Sequence, residues 1–186
     1  MKIELASKYG FCYGVKRAIE IAEKHQNSFT YGPLIHNKDE INRLKEGFNI
    51  GLVEKIEDIK NDNAVVIRTH GIPKDELAVL KEQENQIIDA TCPYVTTPQN
   101  IVKRMSAEGY SIVIFGDKAH PEIKGVVSYA EKQNDAFIVL DKEELEDKID
   151  ELSLKYDVDN VEIKDASMKP KKSDIDVEEL SLVWVV

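Results

Sequence analysis

Cysteine is scarce in this chain, with two residues among 186. Two cysteines cannot build the disulfide framework of a small secreted protein, and their scarcity indicates a reducing cytosol. The N-terminus, MKIELASK, has no long apolar region of the kind that defines a signal peptide. No run of residues approaches the roughly 18 apolar positions that a membrane-spanning helix needs. We therefore expect a cytoplasmic protein that does not enter a membrane.

Basic residues are fewer than acidic ones: the chain has 25 Lys and Arg, 35 Asp and Glu, and a net charge of −10. Nonspecific binding of nucleic acid needs a basic face, so we expect no nucleic-acid partner. The sequence also contains no P-loop and no GxGxxG motif, and nothing in it supports a nucleotide site. A hydrophobic content of 42% is adequate for a core, and the length allows one large or two small domains.

Segments typical of strands alternate with segments typical of helices along most of the chain. This alternation predicts an α/β fold of repeated βα units, with parallel sheets that converge on a central cleft. The predicted strands cover residues 3–6, 28–32, 64–69, 87–90, 111–116 and 136–140. The predicted helices cover residues 15–25, 37–47, 73–83, 121–132 and 142–152, and another ends near residue 108, delayed or kinked by Pro98.

The alternation stops after residue 152. Residues 153–180 are charged, with few apolar clusters and no clear period, which is typical of a tail or an incomplete unit. The last six residues, SLVWVV, are apolar. Because an exposed strand of that composition promotes aggregation, we expect something to cover it.

Six residues able to do chemistry fall in turns that follow predicted strands. They are Cys12, His36, His70, Cys92, His120 and Glu122. Turns at the carboxyl ends of parallel strands gather at one edge of the sheet, where ligands bind in α/β proteins. The fourth histidine, His25, lies at the end of a predicted helix, where it favours the helix dipole. We therefore predict one shared site that contains both thiols and three imidazoles.

The residue types leave the chemistry of this site open. Two cysteines and two histidines could bind zinc, although the close C-x₂-C pair of structural zinc sites is absent. Widely spaced thiolates could instead hold an iron–sulfur cluster. The histidines and nearby helix N-termini would then be free to bind a phosphate or diphosphate. Glu122, two residues after His120, is a candidate proton donor.

Five segments resemble the LytB family of 4-hydroxy-3-methylbut-2-enyl diphosphate reductases, in the family's order and spacing. They are GFCYGVKRAI (10–19), GPLIHNKDEINRLKEGF (32–48), VIRTHGIP (66–73), DATCPYVT (89–96) and GDKAHPEIKG (116–125). The motifs GFCxGVxRAI, DATCP and AHPE are together very specific, and the resemblance covers roughly residues 1–145. It implies an iron–sulfur reductase of the non-mevalonate isoprenoid pathway.

The resemblance also implies a role for each matched residue. Cys12 and Cys92 match two of the three thiolate ligands of a 4Fe-4S cluster. The three histidines, His36, His70 and His120, match residues that bind the diphosphate and line the pocket. Glu122 matches the carboxyl group that delivers protons to the leaving hydroxyl.

The implied reaction removes a hydroxyl group from an allylic diphosphate with two electrons and two protons. Its products are isopentenyl and dimethylallyl diphosphate, and its electrons come from a donor such as ferredoxin or flavodoxin. The cluster would act as Lewis acid and electron source.

The chain departs from the family in its C-terminal part. The third cluster cysteine is absent, since no cysteine follows Cys92. We expect about two of the family's three αβ units, divided into an N-terminal strand and ligand turn (1–13), a first unit (14–90), a second unit (91–152) and a tail or truncated third unit (153–186). The cluster is then incomplete or lost. The alternatives are an inactive family member that only binds an anion or partner, and a two-cysteine zinc protein.

Overall fold

A computed structural model describes residues 3–4, 6–7, 9–131, 136–156 and 180–183 of the chain. The α-helices are α1 (Tyr13–Lys24), α2 (Lys38–Phe48), α3 (Lys74–Glu82), α4 (Pro93–Ala107), α5 (Pro121–Val127) and α6 (Lys142–Tyr156). The strands are β1 (Phe29–Tyr31), β2 (Gly51–Val53), β3 (Ala64–Ile67), β4 (Gln86–Asp89), β5 (Ser111–Phe115), β6 (Ala136–Val139) and β7 (Leu180–Val183). A single turn of 3-10 helix, Ile56–Asp58, follows β2. The predicted α/β fold with parallel sheets is confirmed.

The chain divides into two compact units that interleave along the sequence. The first unit comprises Met1–Thr69 and Gln83–Cys92, and the second comprises His70–Glu82 and Pro93–Val186. These bounds differ from the predicted ones because residues 70–82, which contain α3, group with the second unit. Among the described residues, no helix is both long enough and apolar enough to cross a lipid bilayer.

The first unit is built on a four-stranded parallel sheet in the order β2-β1-β3-β4. Its helix α1 carries apolar residues at intervals of three and four, the spacing that places side chains on one helix face. Ala18, Ile19 and Ala22 on this face are buried and pack with Val66 and Ile88 of the sheet. This packing places the start of α1 within the same unit as the turns that follow β1, β3 and β4.

The second unit is built on a three-stranded parallel sheet in the order β6-β5-β7. Alternate residues of β5 enter different clusters, because side chains of a strand point to opposite faces. Ile112 and Ile114 pack with Val102 and Ile123, whereas Val113 packs with Leu152. Burial on both faces explains the continuous apolar run of this strand.

Three predictions about the elements were wrong. The predicted strand over residues 3–6 is not formed at residues 3, 4 and 6, while residue 5 lies outside the described residues. Ile3 is 76% exposed, whereas a strand of a parallel sheet buries its apolar side chains. Pro98 does not delay α4, which begins at Pro93 and contains it.

The third error concerns α5, which ends at Val127 instead of near residue 132. Ser128 gives the physical reason, because its hydroxyl donates to the Gly125 carbonyl at 2.6 Å and accepts from the Lys74 N–H at 2.9 Å. A serine that bonds to backbone groups in this way competes with helix continuation.

The end of the chain falls partly within the described residues. β7 pairs in parallel with β5, so that Leu182 lies opposite Val113. The strand expected within the final SLVWVV segment is therefore paired along residues 181–183, and residues 184–186 lie outside the described residues.

Candidate functional site

Cys12 lies immediately before α1 as its N-cap residue, with extended backbone angles. Its carbonyl accepts a hydrogen bond from the Lys16 N–H at 3.0 Å, while its side chain makes no capping bond. The thiol is exposed and forms no disulfide. The helix thus fixes the backbone of Cys12 and leaves its sulfur available for a ligand.

Cys92 is held by three contacts within the first unit. Its backbone N–H donates to the Thr69 carbonyl at 2.9 Å. The carbonyl of the preceding Thr91 accepts from Arg17 Nη1 at 3.1 Å. The Cys92 sulfur packs on Gly14, where a Cβ atom would lie 2.3 Å from Sγ. The Cys92 thiol, which forms no disulfide, therefore lies beside the residue that is two positions after Cys12.

His36 is exposed in the turn between β1 and α2. The turn is fastened to the end of β3 through the Leu34 carbonyl, which accepts from Thr69 Oγ1 at 3.0 Å and from the Thr69 N–H at 3.2 Å. Asn37 caps α2 by accepting from the Glu40 N–H at 3.0 Å. His36 thus stands between a fixed turn and a capped helix.

The second unit brings His70, His120 and Glu122 together. The two rings meet edge to face, with centroids 6.0 Å apart and planes at 81°. His120 is the N-cap of α5, where its Nδ1 accepts from the Glu122 N–H at 3.3 Å. An accepting Nδ1 is unprotonated, so in the neutral form of the ring this bond places the proton on Nε2.

Glu122 is half-buried. Burial raises the pKa of its carboxyl group above the ordinary value of 4.5, and the positive charge of His120, when its ring is protonated, partly opposes this shift. A carboxyl group with a raised pKa holds its proton more tightly, which suits a general acid.

The first turns of the helices differ in charge. α2, α3, α5 and α6 each carry one or two acidic residues there, whereas α1 and α4 carry none. These two are the helices that begin directly after Cys12 and directly after Cys92. Acidic residues usually stabilise the positive end of the helix dipole. Their absence leaves both N-termini able to favour a different negative group.

The six predicted site residues divide equally between the units. Cys12, His36 and Cys92 lie in the first, while His70, His120 and Glu122 lie in the second. Within the described residues, no group of three or more His, Cys, Asp or Glu is placed to hold a metal ion. The contacts of Gly14, Arg17 and Thr69 join residues far apart in sequence, so the motifs do not indicate the roles of these three residues. The glycine two residues after Cys12 was the available signal.

A family model described as LytB protein matches residues 3–169. The chain belongs to the LytB family. This result confirms the resemblance seen in the five sequence segments.

Two similar relatives are both named 4-hydroxy-3-methylbut-2-enyl diphosphate reductase. One, from a Sulfurovum species, is 76% identical over 145 residues, which are 78% of this chain and 52% of the relative. The other, from a Nitratiruptor species, is 65% identical over 80% of this chain and 53% of the relative. The chain thus spans about half the length of the curated relatives that it matches.

Solved structures of the same enzyme have a similar fold. One, described as the terminal enzyme of the non-mevalonate pathway, aligns with a TM-score of 0.67 and 37% identity, over 76% of this chain and 52% of that chain. The reductase from Plasmodium falciparum aligns with a TM-score of 0.63 and 24% identity, over 81% of this chain and 56% of that chain, and this second similarity shows the fold alone.

Proposed function

We propose that this chain takes part in the reduction of 4-hydroxy-3-methylbut-2-enyl diphosphate to isopentenyl and dimethylallyl diphosphate, the reaction implied by its family resemblance. The observation that carries the proposal is the placement of both thiols at the first turn of α1. Cys12 precedes that turn, and the Cys92 sulfur packs against Gly14 within it.

The donor set fits part of a 4Fe-4S cluster. Cys12 and Cys92 would supply two thiolates, and a third protein thiolate has no counterpart because the chain contains two cysteines. Iron–sulfur clusters carry anionic sulfur ligands, so the lack of carboxylates in the first turns of α1 and α4 also supports the assignment. When bound, such a cluster supplies electrons and Lewis acidity.

The remaining candidates would act on the substrate. His36, His70 and His120 would donate hydrogen bonds to the diphosphate, and the Nε2 proton of His120 is not used by its capping bond. The half-buried carboxyl group of Glu122, whose pKa is raised, would transfer a proton to the departing hydroxyl. We propose a cytoplasmic setting and an electron donor of the ferredoxin or flavodoxin type.

The test is anaerobic reconstitution of two proteins: the 186-residue chain, and the same chain joined to the remaining half of the Sulfurovum relative. Iron and sulfide per chain, visible absorption and turnover with a strong chemical reductant are measured for both. We expect the joined protein to approach the full iron content of a 4Fe-4S cluster, and the chain alone to hold less iron and to turn over little. Loss of ligands and access of solvent both favour cluster breakdown.

Glu122→Gln in the joined protein isolates the proton-transfer step. We expect the variant to keep its iron and to lose about 10²–10⁴-fold in turnover, the usual contribution of general acid catalysis. Glu143→Gln is the matched control, because Glu143 also lies in the first turn of a helix of the second unit and is exposed. Equal turnover in the two variants would remove Glu122 from the mechanism. A colourless protein that holds zinc would instead support the zinc alternative.

A further inference from the structure

We propose that Gly14 and Arg17 are positioning residues that set the direction of the Cys92 thiol and thereby hold it as a pair with Cys12. The proposal rests on the proposed function for the identity of the group that the pair holds. Its test measures the thiols directly.

Gly14 leaves the space that the Cys92 side chain occupies. A Cβ atom on residue 14 would lie 2.3 Å from the Cys92 Sγ and 3.1 Å from its Cβ. Non-bonded carbon and sulfur atoms cannot approach so closely, since even two carbons prefer about 3.5–4.0 Å. Any side chain at this position therefore displaces the thiol.

Position 14 requires glycine because of the space that the Cys92 side chain occupies, and the backbone conformation does not require it. Gly14 lies within α1 and is absent from the residues with positive φ. Glycine is one of the poorest helix-forming residues, so alanine would favour the helix itself. Gly47 in α2 provides the contrast, since a Cβ atom there would meet nothing within 4 Å.

The backbone around Cys92 is too well anchored to move aside. The Cys92 N–H bonds to the Thr69 carbonyl at 2.9 Å, and the Ala90 N–H bonds to the Ile67 carbonyl at 3.2 Å. The Thr91 N–H bonds to the Asp89 carboxylate at 2.9 Å. Rotation of the Cys92 side chain is then the available response to a larger residue 14, and it turns the sulfur away from α1.

Arg17 supports the same arrangement from the next turn of the helix. It lies three residues after Gly14, a spacing that places both on one face. Its guanidinium donates to the Thr91 carbonyl at 3.1 Å, directly before Cys92. Gly14 and Arg17 thus act on consecutive residues of the opposing turn.

A trivalent arsenical tests whether the two thiols act as a pair. Phenylarsine oxide forms two As–S bonds with two thiols and releases its oxygen with the two thiol protons as water, without a change of oxidation state. We expect the wild-type chain to capture one arsenical, and Cys12→Ser and Cys92→Ser to lose this tight capture. Wild-type capture no tighter than that of the single-cysteine variants would overturn the proposal.

Gly14→Ala should weaken capture by about tenfold, which corresponds to about 1.4 kcal/mol. Gly47→Ala should leave capture unchanged, and alkylation of the exposed Cys12 should proceed equally in all three proteins. A purely structural role for Gly14 would change the unfolding midpoint but leave capture by the folded chain unchanged. Equal capture by the two alanine variants would overturn the proposal.

Arg17→Met provides the second test. If Gly14→Ala does not fold, this variant decides whether the Cys92 thiol is positioned from α1. It should weaken capture relative to Lys16→Met, which removes a neighbouring exposed cation from the same helix. Equal capture by these two variants would contradict the role of Arg17. A chain that shows the expected capture pattern but never binds iron would overturn the proposed function alone.

Discussion

The two units hold their candidate residues in different ways. In the first unit, Cys92 is fixed by backbone hydrogen bonds and by close packing on Gly14. In the second unit, His120 is an exposed helix cap whose ring lies edge to face with the ring of His70, with the two centroids 6.0 Å apart. One arrangement fixes the position of a sulfur atom, while the other leaves an imidazole accessible.

This difference matches the chemistry proposed for each set. Metal ligands must be held at defined distances, which requires rigid support from surrounding residues. A proton donor must hold its proton until the reaction, and partial burial raises the pKa of Glu122. Under the proposed function, the first unit would control the geometry of the cluster ligands, and the second would control the charge of the proton donor.

The largest expected effect is the loss of stability when a core side chain of one unit is truncated. Ile114→Ala empties a fully buried position in β5 and should lower the free energy of unfolding of the second unit by about 2–5 kcal/mol. If each unit is stabilised by its own core, hydrogen exchange should accelerate in β5 and remain slow in β3. Leu34→Ala should produce the reverse pattern, because Leu34 is buried in the first unit.

Val79→Ala serves as the control for these substitutions, since Val79 is 39% exposed. It should change the free energy of unfolding by no more than about 0.5 kcal/mol. Equal acceleration of hydrogen exchange in β3 and β5 after either core substitution would show that the units unfold together. The two units could then not be compared as separately stabilised parts of the chain.

A smaller effect concerns the turn that carries His36. Thr69→Val keeps the shape of the side chain but removes the hydroxyl that donates to the Leu34 carbonyl at 3.0 Å. We expect a loss of about 1 kcal/mol in the free energy of unfolding, because the carbonyl keeps its bond to the Thr69 N–H. Thr69→Ser should recover most of that loss, and equal denaturation curves for the valine and serine variants would exclude this hydroxyl as an anchor.

Local patterns predicted the helices well. The predicted helix over residues 37–47 corresponds to α2 with a shift of one residue at each end. The buried face of α1 follows its apolar spacing, because helix periodicity depends on residues that are close in sequence.

Features that depend on distant partners could not be predicted in this way. The segment over residues 3–6 has the composition of a strand, but whether it pairs depends on another part of the chain. The packing of Cys92 on Gly14 joins residues 78 positions apart (92 − 14). Motif spacing therefore selected the candidate residues, whose roles stay predictions, while the contacts that support them required the structure.

The smallest expected effect is a pH dependence of stability that arises from Glu122. Because burial raises its pKa, the folded chain binds the proton of this carboxyl group more tightly than the unfolded chain does. The contribution of Glu122 to stability should therefore fall as the pH rises from the ordinary carboxyl pKa of 4.5 through the higher pKa of the folded state. His120 partly offsets the loss when its ring is protonated, since that positive charge favours the carboxylate.

Glu122→Gln removes this ionisation and should abolish that part of the slope. Relative to wild type, the variant should gain stability on passing from about pH 4 to about pH 8, and urea denaturation at intervals across that range measures the difference. Glu143→Gln should show no such gain, because Glu143 is exposed in the first turn of α6. If the Glu122→Gln variant and wild type keep the same difference in stability at every pH, burial does not tune this carboxyl group. The contrast between a unit that controls geometry and a unit that controls charge would then lose its main support in the second unit.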